Sequence, residues 1–145
     1  MAAEAINVGV VGSIRRIYVF RGRAAVKPKS VLILEDSLII AMEVEEILRS
    51  IGVEHVEMVA NLDEAAKALD TQQPDFALLD VNLGEAMSFD FARILRARDI
   101  PFGFVSGYSD TGDFPDDLQQ TPLLVKPFDD TAMHDFLRAF FSSAG

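Results

Sequence analysis

Phe76-Ala77-Leu78-Leu79-Asp80-Val81-Asn82 decides the reading of this chain. A short apolar run ends on a carboxylate, with Pro74 and Asp75 ahead of it and Leu83-Gly84 behind. An apolar run of this length between turn formers predicts a buried strand. Asp80 then stands where that strand leaves its sheet. In open α/β sheets this carboxyl edge is where ligands bind.

Working outward, the same pattern recurs. Upstream, Ser30-Val31-Leu32-Ile33-Leu34 is an apolar strand closed by Glu35-Asp36, and Ser37 is placed to cap the next helix. Ile40, Val44, Ile47, Leu48 and Ile51 recur at helical spacing until Gly52 stops them. His55–Val59 alternates polar and apolar, as a strand does, and Asn61 caps a helix with inner face Leu62, Ala65, Ala66 and Leu69.

Downstream, Phe91, Ile94 and Leu95 mark a helix running to about Arg98, and Pro101–Ser106 is a strand. Gly107–Gln120 is weakly patterned, with a helical turn suggested only at Pro115–Gln119. Pro122–Lys126 is the last strand. Asp129 or Asp130 then caps a helix with face Met133, Phe136, Leu137, Phe140 and Phe141. Strands separated by helices must run parallel, with helices on both faces. The expected fold is α/β: a doubly wound, five-stranded parallel sheet, flavodoxin-like (βα)5, in strand order 2-1-3-4-5.

Composition narrows the function classes. The 145 residues are half apolar and contain no cysteine, which excludes disulfides and thiolate metal sites and fits a reducing, cytoplasmic setting. No apolar run approaches the roughly 18 residues of a membrane span. Residues 1–29 carry six basic residues and one acid, leaving +5; residues 30–145 carry seven basic and 22 acidic, leaving −15. Such a body repels phosphate backbones, so direct nucleic-acid binding is not expected. The same acidity suits a divalent cation.

Residues 1–29 read as a basic N-terminal extension, flexible, ahead of a folded domain at 30–145. The positive charges follow the first apolar run, the wrong layout for a secretory signal. Gly9-Val10-Val11-Gly12-Ser13 lacks the glycine spacing and lysine of a phosphate loop. The functional alternative is a basic arm that docks on the acidic body or on a partner.

The strand ends converge. The first strand delivers Glu35 and Asp36, the third Asp80, the fourth Ser106 and the fifth Lys126. Three carboxylates on one edge repel one another unless a cation joins them. Carboxylate oxygens with a backbone carbonyl suit Mg²⁺, and a hydroxyl and an ammonium beside them suit phosphoryl oxygens. The pattern points to phosphoryl chemistry at a carboxylate nucleophile.

On these residues the chain resembles the receiver domain of two-component response regulators. Glu35-Asp36, Asp80, Ser106 and Lys126-Pro127-Phe128 match that family's acidic pair, phosphoacceptor, hydroxyl and lysine in order and spacing. The resemblance implies that Asp80 accepts a phosphoryl group from a sensor histidine kinase or a histidine phosphotransfer protein. It implies Mg²⁺ held by Glu35, Asp36, Asp80 and the backbone carbonyl of Asn82. Ser106 and Lys126 would bind phosphoryl oxygens, and the Lys126–Pro127 bond would be cis.

A narrower likeness lies in Pro101–Tyr108, which is similar to the Phe-Ala-Thr-Gly-Tyr signature of a subgroup of alphaproteobacterial stand-alone receivers, with Val105 and Ser106 for Ala and Thr. One departure stands out. Receivers carry a switch aromatic three residues before the lysine, and here that residue is Leu123. Tyr108 is the expected substitute, with Gly107–Gln120 as the moving part.

The resulting expectation is a stand-alone phosphoacceptor that catalyses its own phosphorylation and dephosphorylation and is no metabolic enzyme. Its output would be binding of a downstream protein or phosphorelay, since no output domain follows the last helix. A pseudo-receiver that binds partners without phosphate is the alternative, and the complete site opposes it. A haloacid-dehalogenase-type phosphatase needs Asp-x-Asp on the first strand, where Leu38 stands. A flavin-binding relative needs a Ser/Thr-rich phosphate loop, and the acids would repel its phosphate.

Overall fold

A computed structural model of the chain describes residues 3–10, 13–20 and 23–24 by backbone path, and residues 27–107 and 112–141 in full. Among these, eight strands form two sheets. The first is antiparallel: β1 (Ala3–Val10), β2 (Ser13–Phe20) and β3 (Arg23–Ala24), in that order. Strands thus stand where the sequence predicts a flexible extension. Ala5–Val10 and Ile14–Phe20 are rich in β-branched and aromatic residues and free of proline, which suits pairing.

The second sheet holds β4 (Ser30–Leu34), β5 (His55–Val59), β6 (Phe76–Asp80), β7 (Phe102–Ser106) and β8 (Leu123–Val125). All pairs are parallel and the order is β5-β4-β6-β7-β8, the expected 2-1-3-4-5. The helices are α1 (Leu38–Ser50), α2 (Leu62–Thr71), α3 (Phe89–Ala97) and α4 (Asp130–Arg138). The crossover from β7 to β8 departs from a full βα unit. Its described residues carry one 3₁₀ turn, Asp116–Leu118, inside the stretch where a helical turn is expected.

Successive side chains on a strand point to opposite faces, and both faces of this sheet are covered. Val31, Ile33, Phe76, Leu78, Val105 and Leu124 pack with α1 and α4, through Val44, Leu48, Met133 and Leu137, and with Phe141 just beyond α4. Leu32, Leu34, Ala77, Leu79 and Phe104 pack with α2, α3 and the crossover, through Ala65, Leu69, Phe91, Leu95, Phe114 and Leu118. Burying each large apolar side chain is worth about 1.5–3 kcal/mol. Two helix faces differ from the expected ones. Ala68, not Ala66, is buried in α2, and Ala92 is buried in α3 while Ile94 is exposed.

Local chemistry sets the helix ends. Ser37 accepts the Ile40 N–H at 3.4 Å, Asn61 the Glu64 N–H at 2.9 Å and Asp129 the Ala132 N–H at 2.8 Å, so Asp129 caps α4. Asn61 Nδ2 also donates to Glu64 Oε2 at 2.9 Å, a reciprocal capping pair. Gly52 ends α1 at φ 100°, where glycine costs nothing. Asp99 takes the equivalent position after α3 at φ 60°. At the amino edge of the sheet, Asp75 Oδ2 accepts the N–H groups of Lys29 and Ser30, both at 3.1 Å, and so ties the start of β4 to β6.

Candidate functional site

Main-chain bonds fix the carboxyl edge before any side chain acts. Glu35 N–H donates to the Val59 carbonyl at 3.0 Å, Val81 N–H to Val105 at 3.1 Å and Lys126 N–H to Ser106 at 2.8 Å. Asp80 pairs with Val105, and Ser106 with Val125. The exits of β4, β6, β7 and β8 therefore deliver their residues to one place. The Lys126–Pro127 peptide that turns the chain there is cis, as expected.

Glu35, Asp36 and Asp80 each bring a carboxylate oxygen to within 4.8 Å of the others. Lys126 Nζ lies 2.8 Å from Glu35 Oε1 and 3.5 Å from Asp80 Oδ2. Glu35 is only 5% exposed, and its second oxygen accepts the Ser37 N–H at 3.2 Å. That backbone bond, invisible in the residue pattern, orients the acid while Lys126 neutralises it.

The electrostatics follow from this crowding. Asp36 is held above the usual carboxylate range, first by its hydrogen bond with Glu35, then by partial burial and by the Glu35 charge. Burial pulls Lys126 down, but the Glu35 hydrogen bond and the charges of Asp80 and Glu35 outweigh it, so its ammonium sits above the ordinary lysine value. Three acids and one ammonium leave an excess of negative charge that a cation would relieve.

The loop after β6 completes the pocket. Asn82 forms a bridge with Met87 whose bonds come from its neighbours: Leu83 N–H to Ala86 at 2.9 Å and Ser88 N–H to Val81 at 3.1 Å. Neither bond uses the Asn82 carbonyl. The Asn82 side chain accepts the Gly84 N–H at 2.8 Å. Gly84, at φ 86°, passes close to Asp36: a Cβ there would lie 3.6 Å from Asp36 Oδ2.

The oxygen-only donor set and the short spacing fit a hard divalent cation of Mg²⁺ type. Glu35, Asp36, Ser106 and Lys126 close or follow their strands at this edge, Asp80 ends β6, and Asn82 lies in the loop behind it. Tyr108 lies outside the described residues. Within Gly107–Gln120, Phe114 and Leu118 are buried. The sequence reading missed one feature, the exposure of Leu38, Ile39 and Met42 at the start of α1, at 65%, 72% and 53%. The signal was there, since apolar residues at 38–40 exceed what one helical face can bury.

The structure is an open α/β domain with an acidic pocket and a lysine at its carboxyl edge. Residues 31–138 match the response regulator receiver domain, and the chain belongs to that family. Over 107 residues it is 31% identical to the transcriptional regulatory protein PdtaR of Mycobacterium tuberculosis, covering 72% of this chain and 52% of that one. The chain spans about half the length of the curated relatives it matches. Among solved structures it resembles SdrG of Sphingomonas melonis at 33% identity and TM-score 0.69, over 80% of this chain and 98% of that one. It also resembles the PhyR receiver domain of Erythrobacter litoralis at 27% identity and TM-score 0.68, over 82% and 96%.

Proposed function

We propose that this receiver accepts a phosphoryl group on Asp80 from a histidine kinase or a histidine phosphotransfer protein, and signals through protein contact or phosphorelay. The convergence of Glu35, Asp36 and Asp80 within 4.8 Å, with Lys126 Nζ 3.5 Å from Asp80, carries this reading. Glu35, Asp36, Asp80 and the Asn82 carbonyl would hold Mg²⁺, which when bound offsets charge on the phosphoryl oxygens. Asp80 attacks the donor phosphorus. A P–O bond forms as the P–N bond to the donor imidazole breaks, and the imidazole nitrogen leaves with the electron pair. Lys126 and the Ser106 hydroxyl bind the oxygens of the resulting acyl phosphate. Water attacking phosphorus later returns the carboxylate and inorganic phosphate.

The exposed Leu38, Ile39 and Met42 follow the acidic pair at the start of α1 and would meet a protein donor that docks beside it. An apolar patch beside a reactive group suits a docking face. Tyr108 is proposed as the residue that reports the modification, in place of the aromatic absent at Leu123. Tyr108→Ala should then uncouple phosphorylation from partner binding, and unchanged coupling would remove Tyr108 from that role.

The deciding experiment treats wild type and Asp80→Asn with a small-molecule phosphodonor, with and without Mg²⁺, and reads intact mass. A Mg²⁺-dependent gain of one phosphoryl group, lost in the variant, supports the reading. No gain with several donors favours a phosphorylation-independent binding module.

A further inference from the structure

β5 is an outer strand of the parallel sheet, and among the described residues no strand pairs with its far side. Its inner bonds are visible at both ends. His55 N–H donates to the Lys29 carbonyl at 2.9 Å, and the Val59 carbonyl accepts the Glu35 N–H at 3.0 Å. In a parallel pair, alternate residues of a strand carry the bonds to its neighbour. The main chain of Glu57 therefore bonds inward with those of His55 and Val59. The N–H and C=O groups of Val56 and Met58 face out.

Natural sheet edges are blunted by proline, lysine or a bulge. None of these is present in His55–Val59, which runs in unbroken register against β4, from Ser30 opposite His55 to Leu34 opposite Val59. Val56 and Met58 are only half buried against the core. A groove of about 240 Å³ opens beside the strand, lined by His55, Val56 and Glu57 with Arg49 of α1 and Gln72 just past α2.

The charges make this edge complementary to itself. His55 and Glu57 are exposed and two positions apart, so both side chains project on one face of the sheet. A two-fold axis through Val56 sets a second copy antiparallel, with Val56 opposite the same residue of its mate. That pair exchanges both of its outward N–H···O bonds. His55 of each copy then lies directly opposite Glu57 of the other, twice over by symmetry. An axis through Glu57 would instead set two carboxylates face to face, which is destabilising.

We propose that β5 pairs with β5 of a second copy in the register centred on Val56, joining two domains through one continuous sheet. The pairing does not depend on the phosphoacceptor reading. Antiparallel strands point the two carboxyl edges in opposite directions, so both Asp80 sites stay open to a donor. Each copy carries a net charge of −10. At about 0.15 M salt that repulsion is screened beyond about 8 Å, a distance longer than the direct His55–Glu57 pairs.

The test is sedimentation velocity of the full chain from about 1 μM to 1 mM in about 0.15 M salt. The mass should rise with concentration towards twice the 15.9 kDa of one chain. Glu57→Lys should weaken association about ten-fold or more, and adding His55→Glu should restore it by exchanging the two signs. Val56→Pro removes only an outward N–H, keeps the bonds to β4, and should leave a monomer. The chain has no cysteine, so Val56→Cys should crosslink on mild oxidation, its Cα lying about 5.5 Å from its mate. Met58→Cys, about 14 Å from its mate along the strands, should not. A monomer at every concentration overturns the pairing. So does a dimer that Glu57→Lys leaves intact, or one that crosslinks at position 58 and not at 56.

Discussion

Lys126 Nζ is closer to Glu35, at 2.8 Å, than to Asp80, at 3.5 Å. The lysine therefore serves the metal-type acid at least as much as the proposed acceptor. Glu35 is nearly sealed from water, and a buried carboxylate without a partner is costly. Lys126→Met should accordingly destabilise the cation-free protein by about 3 kcal/mol in urea unfolding at pH 7. The raised Lys126 value gives a sign as well. Its contribution is complete below the unfolded lysine pKa and is lost as pH rises through the higher folded value. Wild type should then lose stability in strongly alkaline solution by a step that Lys126→Met lacks.

Asp36 gives the opposite experiment. Its raised value means the folded state disfavours its charge. Its contribution to cation-free stability is present below the unfolded aspartate pKa and is lost as pH rises through the folded one. Asp36→Asn should raise the melting temperature of the Mg²⁺-free protein at neutral pH and flatten the dependence above pH 4. The same variant should lose the Mg²⁺ stabilisation of wild type, about 2.7 kcal/mol at a hundred times the dissociation constant. Thermal melts from pH 4 to pH 8 with and without Mg²⁺ check both.

Gly103 faces the last helix. A Cβ added there would lie 2.7 Å from Phe136 Cε2, and Phe136 is itself edge-on to Phe76 at 6.5 Å. Gly103→Ala should cost about 1–3 kcal/mol through overpacking, read as a lower urea midpoint at unchanged slope.

Ile39 is 72% exposed, so its replacement disturbs little packing. Ile39→Lys should keep stability within about 0.5 kcal/mol and keep the rate with a small phosphodonor. Transfer from a purified histidine phosphotransfer protein that phosphorylates wild type should fall at least about ten-fold, a docking loss of some 1.4 kcal/mol. Equal loss with both donors would place the damage in the pocket instead.

Much of this was legible in the sequence because strand cores and strand ends carry different chemistry. Val31–Leu34 and Phe76–Leu79 are continuous apolar runs, and Glu35, Asp36, Asp80 and Lys126 stand at their punctuation. Helix faces were harder. Alanines give weak register, so the pattern points to Ala66 where Ala68 is buried, and hydropathy does not show that Ile94 faces solvent. Asp99 holds a left-handed position with no glycine to announce it. Phe114 sits in an aperiodic segment, where burial has no pattern to betray it. That Lys126 leans on Glu35 depends on side-chain reach, which spacing along the chain does not contain.

The Asp75 clamp on Lys29 and Ser30 has a consequence for how the domain can be wired into larger molecules. It fastens the chain at the pole opposite Asp80, about one strand length, some 17 Å, away. Cargo spliced ahead of Lys29 pulls on that anchorage and leaves the reactive pole untouched. A load applied ahead of Lys29 would therefore meet the sheet at its amino edge first, a strand length from Asp80.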